Sequence, residues 1–403
     1  MRVVRPSARP SRFLVSATAA LAGAAVLSAC GPAGTDTAAS SQPNEAAAPA
    51  GDSVKVVATT TQICDYVTQI ATDSSAEATL ALVKTAADGT SSTAGAPADS
   101  AQSTIELTCL LAPNASAHEH EMTPQQTKAL SQADIMLVNG VDLEHFLDDA
   151  IESSGFHGIM GVTTGVLSSA DIDDLDKVLA SEKNLSYTVD RGAAKVEVAE
   201  WPFPPEDGEE AEFRFDPHVW TSPKNAAIQV ANIGDVLAKA SPDNAQLFNS
   251  HVEKYQQQLA DLDQWAQESL SSIPDEHRVL FTSHDAFGYF SKSYGIEFIG
   301  AALSDFSEQQ DATAAHIAEA AEQVKASGAT ALFAENSNNS KSIEAIAKAA
   351  GVTAVIGDDA LYGDSLGPDG TEGETYVGSI IHNVTTLVTA WQGQLAPLPS
   401  SLN

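Results

Sequence analysis

The sequence predicts an α/β protein in which parallel β-sheets are flanked by helices. From residue 53 onward, apolar runs of four to six residues repeatedly give way to a polar loop and then to a helix, which is the pattern of βαβ units. The chain has 403 residues, enough for two domains with their own cores. Residues 222–240 form one long predicted helix, which could cross from one lobe to another.

The N-terminus is expected to be a targeting segment. Four arginines precede the apolar run FLVSATAALAGAAVL (13–27), which is too short to span a bilayer comfortably. The run ends in Leu-Ser-Ala-Cys at 27–30, which resembles the lipobox of bacterial lipoproteins. The resemblance implies removal of a signal peptide at 1–29 and lipidation of Cys30, and ordinary signal cleavage beside an incidental cysteine is the alternative. Residues 30–52 then form the lipidated cysteine and a flexible linker rich in Ala, Pro, Ser and Gly.

The charge of the chain limits its partners. It carries 54 acidic and 20 basic residues, for a net charge of -34. Nucleic acid is excluded as a partner because phosphate binding needs a basic face. An anionic surface concentrates cations instead, most strongly at low salt, although solubility alone would also account for it. No later segment has the roughly 18 uninterrupted apolar residues of a membrane span, so we expect an extracytoplasmic protein tethered by its lipid.

The first half of the chain reads as strands alternating with helices. VKVVATT, beginning at residue 54, predicts a β-branched strand, and the segment after it predicts a helix. ADIMLVNG (133–140) predicts a short buried strand. DLEHFLDDAIESSG (142–155) predicts a helix that ends at Gly155.

Cys64 and Cys109 each lie near the end of a strand-like run. If these strands are parallel neighbours, the two sulfurs come within bonding distance, and an exported location permits a disulfide. Two buried free thiols are the alternative.

Two stretches look inserted. Residues 85–104 are low in complexity, and we predict a mobile surface insertion there. Residues 169–212 end in the acidic, proline-rich EWPFPPEDGEEAEF. This second stretch either gathers cations near a site or is a solvated acidic loop.

The second half begins with the long helix. Ser222 can cap it, Pro223 suits its first position, and Ser241-Pro242 ends it after about 28 Å. A second helix follows over PDNAQLFNSHVEKYQQQLADLDQWAQESLSSI. Three more strand-containing segments begin at RVLFTSHDAF, ATALFAENSNNSK and VTAVIGDDALYGDSLG.

Three of the ten histidines, His118, His218 and His284, stand in predicted loops. His284 follows the apolar run VLF at the carboxyl end of a strand, where open α/β sheets bind ligands. The loop after VTAVI has the same position and offers three carboxylates: Asp358, Asp359 and Asp364. A transition metal needs three or four donors of this kind, and no HExxH pattern is present. Ligands scattered over loops of two lobes would bind the metal between them, which suits capture and release.

The other histidines read as surface or packing residues, with His120 the exception because it lies two residues from His118. This group is His120, His145, His157, His251, His277, His316 and His382.

These segments together resemble the metal-binding lipoproteins of ABC importers, the solute-binding proteins for zinc and manganese. The blocks SAHEHEMTP with ADIMLVNGVDLE, DPHVWTSPKNA, SHDAFGYFSKSYG, and LYGDSLG with GETYVGSIIHNV occur in the order and approximate spacing of that family. The resemblance implies two α/β lobes at 53–221 and 243–403, joined by a long rigid helix at 222–242. It also implies four metal ligands: His118, His218, His284 and Asp364.

The first block departs from the family pattern. Ser116-Ala117 replaces an Asp-Pro pair and His120 replaces a tyrosine, so His120 is kept as a reserve ligand. Trp220 is expected to pack against the loop of His218 and hold it. Three carboxylates are candidates for orienting the imidazoles: Asp285, Glu119 and Glu335.

Three imidazoles and one carboxylate suit tetrahedral Zn²⁺, whereas Mn²⁺ prefers more oxygen and is the second choice. In the resembling manganese proteins a glutamate commonly stands at the position of His284. The resemblance implies a monomer that works with an ABC permease and its ATPase subunit and is not an enzyme. A surface zinc hydrolase would need an open coordination position and a general base. A surface adhesin would leave the ligand set unexplained.

Overall fold

The fold is built on two β-sheets, mainly parallel, each flanked by helices. It is seen in a computed structural model that describes residues 52–72, 79–203, 214–302 and 313–402. The predicted signal peptide, Cys30 and all of the predicted linker except Asp52 lie outside the described residues. Among the described residues, no helix combines the length and the apolar character needed to cross a membrane.

The first sheet has seven strands in the order β3-β2-β4-β1-β5-β6-β7. The strands are β1 Asp52–Ala58, β2 Leu80–Thr85, β3 Ser91–Gly95, β4 Ser103–Cys109, β5 Ile135–Val138, β6 Ile159–Val162 and β7 Thr188–Asp190. All neighbours pair in parallel except β2 and β3. Helices cover the sheet, so the central strands are buried on both faces and read as continuous apolar runs.

The helices associated with the first sheet are α1 Thr61–Ala71, α2 Pro124–Leu130, α3 Leu147–Ser154, α4 Ser169–Asp173 and α5 Leu175–Glu182. Local sequence explains where several begin and end. Thr60 caps α1 by accepting a hydrogen bond from the amide of Ile63. Thr123 and Gln126 form a reciprocal capping box on α2. Gly155 ends α3 in the left-handed conformation that glycine allows.

The second sheet has four parallel strands in the order β11-β10-β8-β9. The strands are β8 Val279–Thr282, β9 Glu297–Ala301, β10 Ala331–Phe333 and β11 Thr353–Val355. Its helices are α8 Gly288–Tyr294, α9 Ala314–Ser327, α10 Lys341–Ala350 and α11 Tyr376–Ala390. Short 3-10 helices occupy Val219–Thr221, Pro242–Asn244, Asp275–His277, Gly357–Asp359 and Ser400–Leu402.

Two consecutive helices connect the sheets, α6 Pro223–Ala240 and α7 Ala245–Leu270. The predicted long helix over 222–240 is therefore confirmed. The 26-residue α7 packs against α6, against α1 beside the first sheet and against α11 beside the second. Ser222 occupies the cap position of α6, but its hydroxyl accepts a hydrogen bond from Ser293 and does not cap the helix. The lobe boundaries at 53–221, 222–242 and 243–403 stay predictions.

The structure joins Cys64 to Cys109 in a disulfide, with the two Cα atoms 5.6 Å apart. The strands β1 and β4 are parallel neighbours, and Ala58 is paired with Cys109. Since α1 follows β1 directly, its first turn lies over the end of β4.

Two predicted segments differ from the structure. The stretch 85–104, predicted as a mobile insertion, contains β3, an exposed antiparallel strand at the sheet edge. Its Ser, Thr, Ala and Gly residues bury no apolar face, so no alternation marked it as a strand. The helix predicted from 142 begins at Leu147, because Val141 and Asp142 have positive φ angles in a turn. The carboxylate of Glu144 holds this turn by accepting the backbone N–H groups of residues 139 and 140.

The second inserted stretch, 169–212, is only partly described. It contains α4, α5 and β7, followed by an isolated bridge between Glu200 and Phe215. Most of its acidic, proline-rich end lies in 204–213, outside the described residues.

Candidate metal centre

Four side chains from separate loops converge on one buried point: His118, His218, His284 and Asp364. His118 lies in the loop after β4, and His218 just ahead of α6. His284 comes two residues after β8, and Asp364 lies in the loop after β11. One potential ligand atom from each residue lies within 4.8 Å of those of the other three. Relative exposures of 8%, 0%, 3% and 2% mean that water hardly reaches these side chains.

Five distances between potential ligand atoms are close to the edge of a tetrahedron, when the oxygen of Asp364 named for each histidine is used. The Nε2 atom of His218 lies 3.1 Å from that of His118 and 3.3 Å from that of His284. The carboxylate of Asp364 places Oδ1 3.2 Å from Nε2 of His218, and Oδ2 3.6 Å from Nε2 of the other two histidines. Metal–ligand bonds of about 2.0–2.1 Å in a tetrahedron separate the ligand atoms by about 3.3 Å. The four donors therefore fit a four-coordinate cation.

Asp216 orients the imidazole of His218. Its Oδ1 atom accepts hydrogen bonds from the backbone N–H of His218, at 2.9 Å, and from Nδ1, at 2.8 Å. Because a carboxylate can only accept, Nδ1 carries a hydrogen and Nε2 faces the other ligands. Sequence reasoning had not assigned this role to Asp216, although its place two residues before a candidate ligand was an available signal.

Trp220 packs against His218, as its place in the sequence suggested. The two rings meet edge to face with centroids 5.4 Å apart, and the tryptophan is 3% exposed. Its indole N–H also donates to the carbonyl of Gly363, at 2.9 Å, the residue before Asp364. The tryptophan thereby joins the loops of two candidate ligands.

Two of the three carboxylates predicted to orient imidazoles contact His284. The Oδ1 atom of Asp285 lies 3.2 Å from its Nδ1, and Oε1 of Glu335 accepts its backbone N–H at 2.9 Å. The third, Glu119, is exposed.

Two further contacts to Asp364 were missed by sequence reasoning. The hydroxyl of Ser116 donates to Oδ2 at 2.8 Å, and the amide of Gln62 donates to the backbone carbonyl at 3.0 Å. No local sequence signal could have revealed them, because the pairs are separated by 248 and 302 residues.

The remaining candidates lie elsewhere. His120 is outside the group of four, and its ring meets that of Phe146 at 4.9 Å. Asp358 and Asp359 are exposed in a 3-10 helix. Two other histidines, His251 and His382, are buried and hydrogen-bonded to backbone carbonyls.

The three imidazoles of the site do not all carry the same charge. Burial lowers the pKa of His118 well below its usual value and lowers the pKa of His284 to about 4. Burial opposes the charged form of His218 too, but the hydrogen bond to Asp216 and the nearby Asp364 raise its pKa to about 10. For Asp364, burial acts to raise the pKa, but the surrounding imidazoles hold it far below the usual value. The free site at neutral pH therefore contains two neutral imidazoles, one imidazolium and one carboxylate.

This arrangement is suited to holding a cation rather than to reacting with a bound molecule. Four donors complete a tetrahedron, whereas a catalytic zinc site keeps one position open for water or substrate. A divalent cation at the point of convergence would replace the Nε2 proton of His218, since that proton occupies the same space.

The sequence and the fold were compared with those of known proteins. Residues 56–390 match the family described as Zinc-uptake complex component A periplasmic. The manganese-binding lipoprotein MntA of Bacillus subtilis (strain 168) is 30% identical over 289 residues, which cover 71% of this chain and 82% of that protein. The zinc-binding protein TroA of Treponema pallidum (strain Nichols) is 32% identical over 293 residues, which cover 72% and 83%, respectively.

A solved structure, the periplasmic zinc binding protein TroA from Treponema pallidum, has the same fold. The TM-score is 0.60 at 25% sequence identity, and the alignment covers 85% of this chain and 99% of that one. The similarity in sequence and the similarity in fold thus lead to the same group of proteins.

Proposed function

Since the chain belongs to the family of the periplasmic zinc-uptake complex component A, we propose that it captures Zn²⁺ outside the cytoplasm and delivers it to an ABC permease. Family membership makes the chain a metal-binding, substrate-binding component of an ABC importer and not an enzyme. The proposal adds the identity of the metal, its ligands and the site of action.

One observation carries the proposal: three imidazole nitrogens and one carboxylate are buried together with their ligand atoms within 4.8 Å. We assign His118, His218, His284 and Asp364 as the ligands, and the loop contacts of Asp216, Trp220 and Glu335 would keep them in place. His120 is not needed to complete the set.

The donor set favours zinc. Three nitrogens and one oxygen at tetrahedral spacing suit Zn²⁺, whereas Mn²⁺ prefers a larger number of oxygen ligands. The names of the relatives include both metals, manganese for MntA and zinc for TroA. Affinity by itself is a weak guide, because nitrogen and oxygen sites generally bind Zn²⁺ more tightly than Mn²⁺.

We further propose that the protein acts as a monomer on the outer face of the bacterial cytoplasmic membrane, anchored by a lipid on Cys30. The lipobox-like sequence at 27–30 and the naming of relatives such as MntA as lipoproteins support this anchor. Transport would then require the permease and its ATPase subunit as separate chains.

The proposal is tested by metal analysis and competitive titration of the full chain, purified in detergent and stripped with chelator. We expect one Zn²⁺ per chain. Each of the variants H118A, H218A, H284A and D364A should weaken binding by more than about 100-fold, beyond what loss of an outer contact costs. The matched control is H157A, which removes an exposed histidine, and H120A should also bind normally.

Two outcomes would count against the capture of Zn²⁺ as the function. Retention of Mn²⁺ in the presence of equimolar Zn²⁺ would make manganese the cargo. Absence of bound metal, or four variants that bind like the parent, would overturn the role in metal capture.

A further inference from the structure

Ser116 is buried beside two of the proposed ligands. It is 6% exposed, and its oxygen accepts the backbone N–H of His118 at 3.3 Å. A hydroxyl has a single hydrogen, and here it is donated to Oδ2 of Asp364 at 2.8 Å. The hydroxyl therefore both donates and accepts a hydrogen bond within the site.

The two oxygens of Asp364 consequently differ. Oδ2 accepts the hydrogen bond from Ser116. Oδ1 is buried and lies 3.2 Å from Nε2 of His218, the nitrogen that faces the other proposed ligands. A cation at the point of convergence would replace the imidazolium proton of His218 as the partner of Oδ1.

The backbone around Asp364 is also held from two sides. Gln62 donates to the carbonyl of Asp364, and Trp220 donates to the carbonyl of the preceding Gly363. The carboxylate therefore cannot easily be re-aimed by a shift of its loop, and its coordination depends on which of its oxygens is available.

Resting on the proposed function, we infer that the Ser116 hydroxyl keeps Asp364 a one-oxygen ligand and so selects four-coordinate Zn²⁺ against Mn²⁺. Binding through both carboxylate oxygens would draw Oδ2 to the metal and weaken its hydrogen bond with Ser116. Mn²⁺ needs that second oxygen more than Zn²⁺ does, because it favours oxygen-rich coordination with more than four ligands. Ser116 thus acts as a specificity-determining residue without touching the metal.

The first test compares the full chain with S116A, which removes the hydroxyl, and with S116T, which retains it. The probes are Zn²⁺ and Mn²⁺ in competitive titrations, and Co²⁺, whose visible absorption is strong in four-coordinate sites and weak in sites with more ligands. In S116A we expect weaker Co²⁺ absorption and a fall of about tenfold in the preference for Zn²⁺ over Mn²⁺, corresponding to one hydrogen bond to a charged group. S116T should behave like the parent.

The second test needs no variant. Zinc K-edge X-ray absorption of the parent protein should give three nitrogen ligands and one oxygen ligand. A fifth ligand from a two-oxygen carboxylate would overturn the inference even if S116A failed to fold.

The outcomes separate the inference from the proposed function. If the parent binds metal through Asp364 but S116A keeps both the Co²⁺ absorption and the metal preference, the role of Ser116 is wrong and metal capture stands. If the parent binds neither Zn²⁺ nor Co²⁺, both fail.

Discussion

At the scale of single residues, Asp216 contributes most directly to the protonation of His218. His118 and His284 are buried and have lowered pKa values, whereas His218 has a pKa of about 10. The difference arises because, against the effect of burial, the Asp216 carboxylate 2.8 Å from Nδ1 of His218 stabilises the imidazolium together with Asp364. In the metal-free protein at pH 7, His218 therefore keeps a proton on the nitrogen that a metal must occupy.

We predict that binding of Zn²⁺ at pH 7 releases about one proton per metal, because the cation displaces this Nε2 proton. Since the pKa of His218 is about 10, affinity should rise with pH by about tenfold per unit between pH 7 and pH 9. Removing the negative charge in D216N lowers this pKa, so the variant should release fewer protons. Isothermal titration calorimetry in buffers of different ionisation enthalpy measures the number released.

The control for this prediction is D358N, the same substitution at an exposed aspartate. It should release as many protons as the parent. Equal release by the parent and by D216N would show that Asp216 does not set the charge of His218.

At the scale of elements, the disulfide links two segments that support the centre. Cys64 lies in α1, whose first turn contacts the loop of Asp364: Thr61 accepts the backbone N–H of Leu366 at 2.9 Å, and Gln62 donates to the carbonyl of Asp364. Cys109 ends β4, from which the chain continues to Ser116 and His118. The bond therefore ties a helix that holds one proposed ligand to the strand that leads to another.

We predict that the double variant C64S/C109S is less stable than the parent by roughly 2–4 kcal/mol, because the bond closes a long loop in the unfolded chain. The cysteines are 45 residues apart in sequence, which places the loop in the range where this entropic effect is large. Urea denaturation of the metal-free protein measures the free energy of unfolding.

Addition of a dithiol reductant supplies the control. It should destabilise the parent to the level of the double variant and leave the double variant unchanged. If the reductant lowered the stability of both proteins equally, the effect would not come from this disulfide.

At the scale of the whole described unit, one hydrophobic cluster contains residues from both sheets. Val56 and Leu107 of the first sheet belong to the same cluster as Leu280 and Phe333 of the second, and apolar residues of α6, α7 and α11 complete it. The candidate ligands follow strands of both sheets or precede α6. Metal binding should therefore be coupled to the stability of the entire fold and not to one part of it.

We predict that Zn²⁺ stabilises the folded protein by about 2.7 kcal/mol when the free metal is 100-fold above the dissociation constant. The physical reason is that the assembled site binds the metal and the unfolded chain does not. Differential scanning calorimetry should show one unfolding transition. Its midpoint temperature should rise when Zn²⁺ is added and fall to the metal-free value when chelator is added.

The variant D364A should show no shift in this experiment. Two separate unfolding transitions, of which only one responds to Zn²⁺, would contradict the inference that the two sheets unfold together because they share one hydrophobic cluster.

Much of the fold could be predicted because its signals are local. Alternating apolar runs and polar loops predicted the parallel strands, and Pro223 with Ser241-Pro242 located α6. Local signals failed where a segment buries no apolar face, as in β3, and where side-chain contacts shape a turn, as at Glu144 before α3. The sequence motifs also pointed to the four residues that the structure brings together.

The sequence by itself thus determined the α/β class, the order of the elements and the residue types that could bind a metal, since periodicity, capping and short motifs depend on near neighbours along the chain. Only the tertiary structure decided which oxygen of Asp364 is hydrogen-bonded, which imidazole carries charge and which helix supports which loop. The contacts of Asp364 with Ser116 and Gln62 span 248 and 302 residues. Such pairs come into contact because the strands of the two sheets bring their loops to one point, and patterns among near neighbours in the sequence cannot predict these contacts.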